Sequence, residues 1–235
     1  MSKKKKKPAQ KQSTQQQNMS PKQYIMSGRA RKLPIKECYI NSDWKNAGLS
    51  SLVVARHHTT GNVTFGFYLV DTFCLGIKNA DIGFNKSSFE YADFLSNISD
   101  RYMGEIEKID YALAHNILFG AVAYAESLGF KPHKDWSFAQ MVLEEDTEDV
   151  ELIELEFGKN GRPCFINGPY DSVNKVVNTL KKSVGEGNFD VVLIAGENEF
   201  GDMYYDDDNE DYEDDDEEEE EDNDDIEDAE YEEVK

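Results

Sequence analysis

Cysteine is scarce in this chain, three in 235 residues, and Cys38, Cys74 and Cys164 stand far apart with no Cys-x-x-Cys pair. An odd, widely spaced set argues against a disulfide framework and a zinc ribbon, leaving reduced, buried thiols as the expectation. Long hydrophobic runs are missing too. The longest, about residues 112–125, is broken by His115 and Asn116 and falls short of the roughly 20 apolar residues that cross a bilayer. The lysine-rich start, Lys3 to Lys7, is followed by Gln, Ser and Thr rather than an apolar stretch, so no secretory signal is read there. A cytoplasmic protein with no membrane contact is expected. Phosphate-cradling glycine patterns are also lacking: Gly158-Lys159-Asn160-Gly161 and Gly185-Glu186-Gly187 match neither the P-loop nor the dinucleotide fingerprint. The acidic stretch from Asp206 to Asp211 has no glycine at the turn of a calcium loop. No cofactor and no metal site are expected.

What the chain has in excess is charge, and that charge is segregated. There are 48 acidic and 25 basic side chains, a net charge of −23. Residues 1–36 hold eleven Lys or Arg and no acid, whereas residues 201–235 hold 23 acids and one lysine. Residues 1–200 are close to neutral, with 24 basic and 25 acidic side chains, so bulk acidity does not exclude a polyanionic partner. Both ends have too few apolar residues to offset the entropy of ordering. The organisation expected is a disordered basic arm over residues 1–22, a globular domain over 23–200 and a disordered acidic tail over 201–235.

Within the domain the apolar residues return with clear periods. Leu52 to Val54 and Val63 to Val70 read as strands, with Val63, Phe65, Phe67 and Leu69 alternating, and the turn residues from His57 to Asn62 join them into a hairpin. Cys74 to Ile77 adds a short extended piece. Ser88 to Ile98 reads as a short helix and Glu105 to Leu128 as a long core helix stopped by Gly129. Asp135 is placed to cap a helix from Trp136 to about Glu145. A second hairpin is expected from Leu152 to Phe157 and Pro163 to Ile166 around Asn160-Gly161, followed by a helix with Asp171 as N-cap and Gly185 past its end. Phe189 to Ala195 then closes the fold as a buried strand. The order gives an α+β fold: one compact domain with two β-hairpins, a long core helix, a C-terminal helix and a closing strand.

Two groups of residues carry the candidate chemistry. Cys74 as nucleophile, with His57 or His58 as base and Asp71 nearby, would make a thiol-dependent or hydrolase-like site around the first hairpin. Adjacent histidines on a strand face opposite sides, which works against a shared role. His115 reads as a core histidine bonded to a backbone carbonyl, and His133 as an exposed loop residue. The second group is basic. Lys3, Lys4, Lys5, Lys6, Lys7, Lys11, Arg29, Arg31 and Lys32 form a polycation of the kind that binds nucleic acid by counterion release, or a solubility arm. Lys175, Lys181 and Lys182 on the C-terminal helix read either as a solvated face or as a docking surface for phosphates or for the acidic tail. That tail would compete with nucleic acid for the basic arm, or bind a basic protein partner.

The stretch from Ala30 to Ile35 with Cys38 and Trp44, then Val53-Val54-Ala55-Arg56 and Gly66 to Lys78, resembles a segment of uncharacterised bacterial proteins, some of which carry an attached SEC-C zinc motif. The resemblance covers about residues 30–85. The cysteine-rich motif is absent here, so zinc does not carry over; the resemblance implies a bacterial cytoplasmic protein and no reaction, with Arg56, Asp71, Cys74 and Lys78 as its polar positions. The leading expectation is a non-enzymatic interaction protein associating with nucleic acid or a nucleic-acid-bound assembly, its acidic tail modulating the binding. An enzyme built around the first hairpin is the alternative.

Overall fold

The computed structural model describes residues 19–98 and 105–194. The expected acidic tail, the lysines from Lys3 to Lys11 and residue 195 lie outside the described residues. Residues 20–22, which composition placed in the basic arm, belong to a helix and its N-cap. Ser20 caps helix α1 (Pro21–Met26) and exchanges hydrogen bonds with Gln23 in a capping box, while Ile25 is buried against Val142. The basic arm expected over residues 1–22 therefore overlaps the start of this helix.

Strands β1 (Ile35–Asn41), β2 (Leu49–His57), β3 (Val63–Asp71), β4 (Gly76–Lys86) and β5 (Ile106–Ile109) form an antiparallel sheet in the order β4-β3-β2-β1-β5. A single helical turn, α2 (Trp44–Ala47), joins β1 to β2, and the hairpin read from His57 to Asn62 joins β2 to β3. Both faces of the central strands are covered. Leu52, Val54, Tyr68 and Val70 face helix α4 (Tyr111–Ser127) and the short helix α5 (Trp136–Ala139), whereas Val53, Ala55, Phe65 and Phe67 face helix α3 (Ser88–Ile98). The strands are apolar at nearly every position because successive side chains serve opposite cores. The fold is α+β, as its alternating patterns implied.

Several expectations need correction. Ile106 and Ile109, three apart, would share a helix face, but they lie in β5, where that spacing sends them to opposite sides of the sheet. The long helix accordingly starts at Tyr111, after Asp110. Trp136 onward makes one turn of helix and a 3₁₀ turn (Gln140–Val142) rather than a helix to Glu145, and the Asp135 side chain makes no capping bond. The Asn160-Gly161 turn forms, with Lys159 bridging Arg162, yet residues 152–157 pair with no strand among the described residues.

The C-terminal part is a β-α-β unit. Strands β6 (Cys164–Ile166) and β7 (Asp190–Val192) are parallel, joined through helix α6 (Val173–Ser183), whose Val176 and Leu180 pack with Phe165, Leu128 and Cys74. Ser172, not Asp171, is the N-cap. Nor is the closing strand buried: Leu193 and Ile194, just past β7, are 64% and 60% exposed.

Gly76 sets how closely the β3–β4 turn approaches α4. Its φ is +68°, and a Cβ there would stand 2.8 Å from the Ala125 Cβ and 2.9 Å from the Ala121 carbonyl oxygen. Gly76→Ala should lower the unfolding free energy by about 2–4 kcal/mol, combining left-handed strain with overpacking against backbone. Denaturant unfolding checks this; a loss below about 0.5 kcal/mol would show that the turn relaxes freely.

Candidate polyanion-binding cleft

The residues proposed for catalysis sit at opposite ends of one strand pair. His57 pairs with Val63 at one end of the β2–β3 ladder and Leu49 pairs with Asp71 at the other, a run of about 27 Å at the usual strand rise. His57 is exposed. His58 is half-buried, its Nε2 2.8 Å from the Thr64 hydroxyl and its ring beside the Tyr24–Phe84 pair, and burial holds its pKa below the ordinary value. Asp71 accepts hydrogen bonds from the backbone N–H groups of Phe73 at 2.9 Å and Cys74 at 3.0 Å, a carboxylate organising its own turn. The Cys74 side chain is enclosed with Phe165 and Leu180, and burial pushes its thiol well up, which disfavours the thiolate a nucleophile needs. The structure thus does not bring His57 or His58 to Asp71 and Cys74.

Arg56 is likewise a structural centre. Its guanidinium is buried and donates to the carbonyls of Val142, Arg31 and Leu33 and to the Glu144 carboxylate. It ties the entry to β1 and the loop after α5 to the sheet. Of the basic residues expected to meet nucleic acid, Arg31 is engaged with Glu145 and the Met141 sulfur, while Arg29 and Lys32 are exposed. His115 is a core histidine, as its pattern implied: a carbonyl can only accept, so Nε2 donates to the Glu144 carbonyl at 3.2 Å, and the ring packs on Phe119.

Basic side chains converge instead between the start of β4, the loop after α4 and helix α6. These elements enclose a cleft of about 500 Å³, within the size range of ligand sites. Leu75, Ile77, Phe130 and Val176 contribute apolar lining, and Lys78, Lys131, His133 and Lys175 the basic groups. Lys78 is committed to Asp171, whose Oδ2 also accepts the Gly168 N–H at 2.7 Å. This explains why Asp171 does not cap α6. Lys131 and Lys175 are exposed and have no carboxylate partner among the described residues. Three lysines against one carboxylate leave the cleft cationic before His133 is considered.

Helix α6 extends this character. Lys182 lies seven residues after Lys175, two turns along the same face and about 10 Å away by helix rise. The lysines of α6 were visible as a possible phosphate-docking face. The contributions of Lys131 and His133 were not, since they come from a loop some forty residues upstream. Among the described residues, no cluster of three His, Cys, Asp or Glu side chains suits a metal ion, and no helix is long and apolar enough to cross a membrane. Compared with protein-family models, curated proteins and solved structures, the chain matches none.

Proposed function

We propose that this chain is a non-enzymatic interaction protein that associates with nucleic acid, or with an assembly containing it, through phosphate contacts. The observation that carries the reading is the cleft, where Lys131 and Lys175 face solvent without carboxylate partners beside an apolar lining. Phosphate contacts of this kind supply affinity without sequence preference, and the lysines from Lys3 to Lys7 add to the same attraction. The acidic residues of 201–235 oppose it, so the tail sets a threshold that only a dense polyanion overcomes. The catalytic alternative around the first hairpin lacks the convergence it requires.

A native pull-down with and without nuclease tests the reading. At about 50 mM salt, nucleic acid should co-purify and be released by raising salt to about 200 mM, because counterion release weakens such contacts steeply. Removing residues 202–235 should raise the affinity at low salt. Absence of nucleic acid from the pull-down at low salt, both in the full chain and without the tail, would overturn the proposal.

A further inference from the structure

The segment over residues 152–157 has the pattern of a strand and, among the described residues, no strand beside it. Ile153, Leu155 and Phe157 are partly buried, with Leu155 and Phe157 against the α4 core, while Leu152, Glu154 and Glu156 are exposed. It is pinned at both ends. Asn116 accepts from the Ile153 N–H and donates to the Glu151 carbonyl, and the Gly158 N–H donates to the Thr72 carbonyl. Phe157 lies over Gly120 of α4, where a Cβ would stand 2.5 Å from its ring, and stacks on Tyr124. Between the pins, the N–H groups of Glu154, Leu155, Glu156 and Phe157 have no hydrogen-bond partner among the described residues. A pinned segment with free backbone groups is a template for another strand.

A cleft of about 640 Å³ runs beside these residues, its other side formed by Trp44, Asn46, Thr72 and Phe73. The charges nearest the free backbone are acidic. Glu154 and Glu156 are exposed and have no cationic partner among the described residues, whereas Lys45 and Lys159 lie over the rings of Trp44 and Phe73. Added strands gain affinity from main-chain hydrogen bonds and specificity from alternate side chains, and oppositely charged neighbours across the strands favour pairing.

We infer that residues 154–157 are a strand-addition site for an extended segment of a partner protein with alternating apolar and basic residues. Main-chain bonds run along about 13 Å, with basic side chains beside Glu154 and Glu156 and apolar ones turned into the cleft. The site is separate from the polyanion-binding cleft and does not depend on it.

The test uses the full chain and a capped octapeptide alternating Val and Lys. Binding should slow amide hydrogen exchange at the alternate amides of 154–157 that face the added strand, Glu154 with Glu156 or Leu155 with Phe157, and it should weaken at least tenfold on E154K/E156K, on exchanging the peptide lysines for Glu, and on N-methylating the peptide backbone. Both substituted glutamates are exposed, so the variant keeps its core. No binding at millimolar peptide, binding without slowed exchange at these amides, or equal binding of the N-methylated peptide would each overturn the inference. A further control changes Lys3, Lys4, Lys5, Lys6 and Lys7 together to Gln. The exchange of amides 154–157 in the peptide-free protein should stay the same; faster exchange would make the chain's own arm the occupant and overturn the assignment to a partner.

Discussion

Replacing Arg56 with Met should lower the unfolding free energy by about 3–5 kcal/mol, the loss expected when one partner of a buried, hydrogen-bonded ion pair is removed. The side chain is 1% exposed, and its donors reach Val142 O at 2.5 Å, Arg31 O at 2.8 Å, Leu33 O at 2.6 Å and the Glu144 carboxylate at 2.6 Å. Met fills much of the volume and satisfies none of these acceptors. Three main-chain carbonyls from two segments lose their donor together, so the substitution releases the 31–33 entry and the 142–144 loop as well as the ion pair. Glu144→Gln should cost less, about 1 kcal/mol, because that side chain is 38% exposed and water can replace part of the interaction. Denaturant unfolding of the two variants checks the order. Equal losses would mean that the ion pair, and not the carbonyl contacts, dominates.

Asp71 should give the second large effect, and it depends on pH. Burial raises its carboxyl to about 6, outweighing the hydrogen bonds from the Phe73 and Cys74 amides and the charge of Lys78. With a folded-state pKa above the unfolded value of 3.8, the folded chain binds more protons between those two values. This group's contribution to stability is therefore greatest below about pH 4 and falls as pH rises to about 6, by roughly 3 kcal/mol for a shift of two units. Asp71→Asn keeps an acceptor oxygen for the turn and removes the buried charge. It should be at least as stable as the wild type at pH 8, and the difference between the two should shrink on going to pH 4. Asp71→Ala leaves the two amides without their acceptor and should lose about 1–3 kcal/mol at pH 4, whereas at pH 8 removal of the buried charge offsets that loss by roughly 3 kcal/mol. If Asn and Ala destabilise equally at pH 8, the carboxylate itself is what the turn requires.

Where the sequence alone was informative, a local rule and the tertiary environment agreed. The β2–β3 hairpin and helix α3 follow directly from period and turn chemistry, and Ser87 and Glu90 exchange capping bonds at the start of α3. Helix α6 also follows, ending just before Gly185 at φ +87°. Strand β1 was not legible, because Lys36 and Glu37 interrupt the apolar alternation and its pairing partners are twelve or more residues away. Residues 152–157 have a strand's alternation, but the fold lays them on a helix, a choice that local pattern does not encode. The candidate site illustrates the same limit. His57, His58, Asp71 and Cys74 are close in sequence, but the length of the hairpin separates them. The cationic cleft unites Lys78, Lys131 and Lys175 through the packing of β4 and α6 around the end of α4; Lys78 and Lys175 were each noted separately in the sequence, and nothing there joined them to each other or to Lys131.

The salt dependence of nucleic-acid binding, measured on the full chain and on K131E/K175E, tests the central claim most directly. Both substituted side chains are exposed, so the variant should fold as the wild type does. With two phosphate contacts removed, the slope of log affinity against log salt should become shallower by about 1.4–1.8, and affinity at low salt should fall at least tenfold across unrelated sequences. A variant with the wild-type slope and affinity would contradict the account and place any nucleic-acid binding elsewhere on the chain.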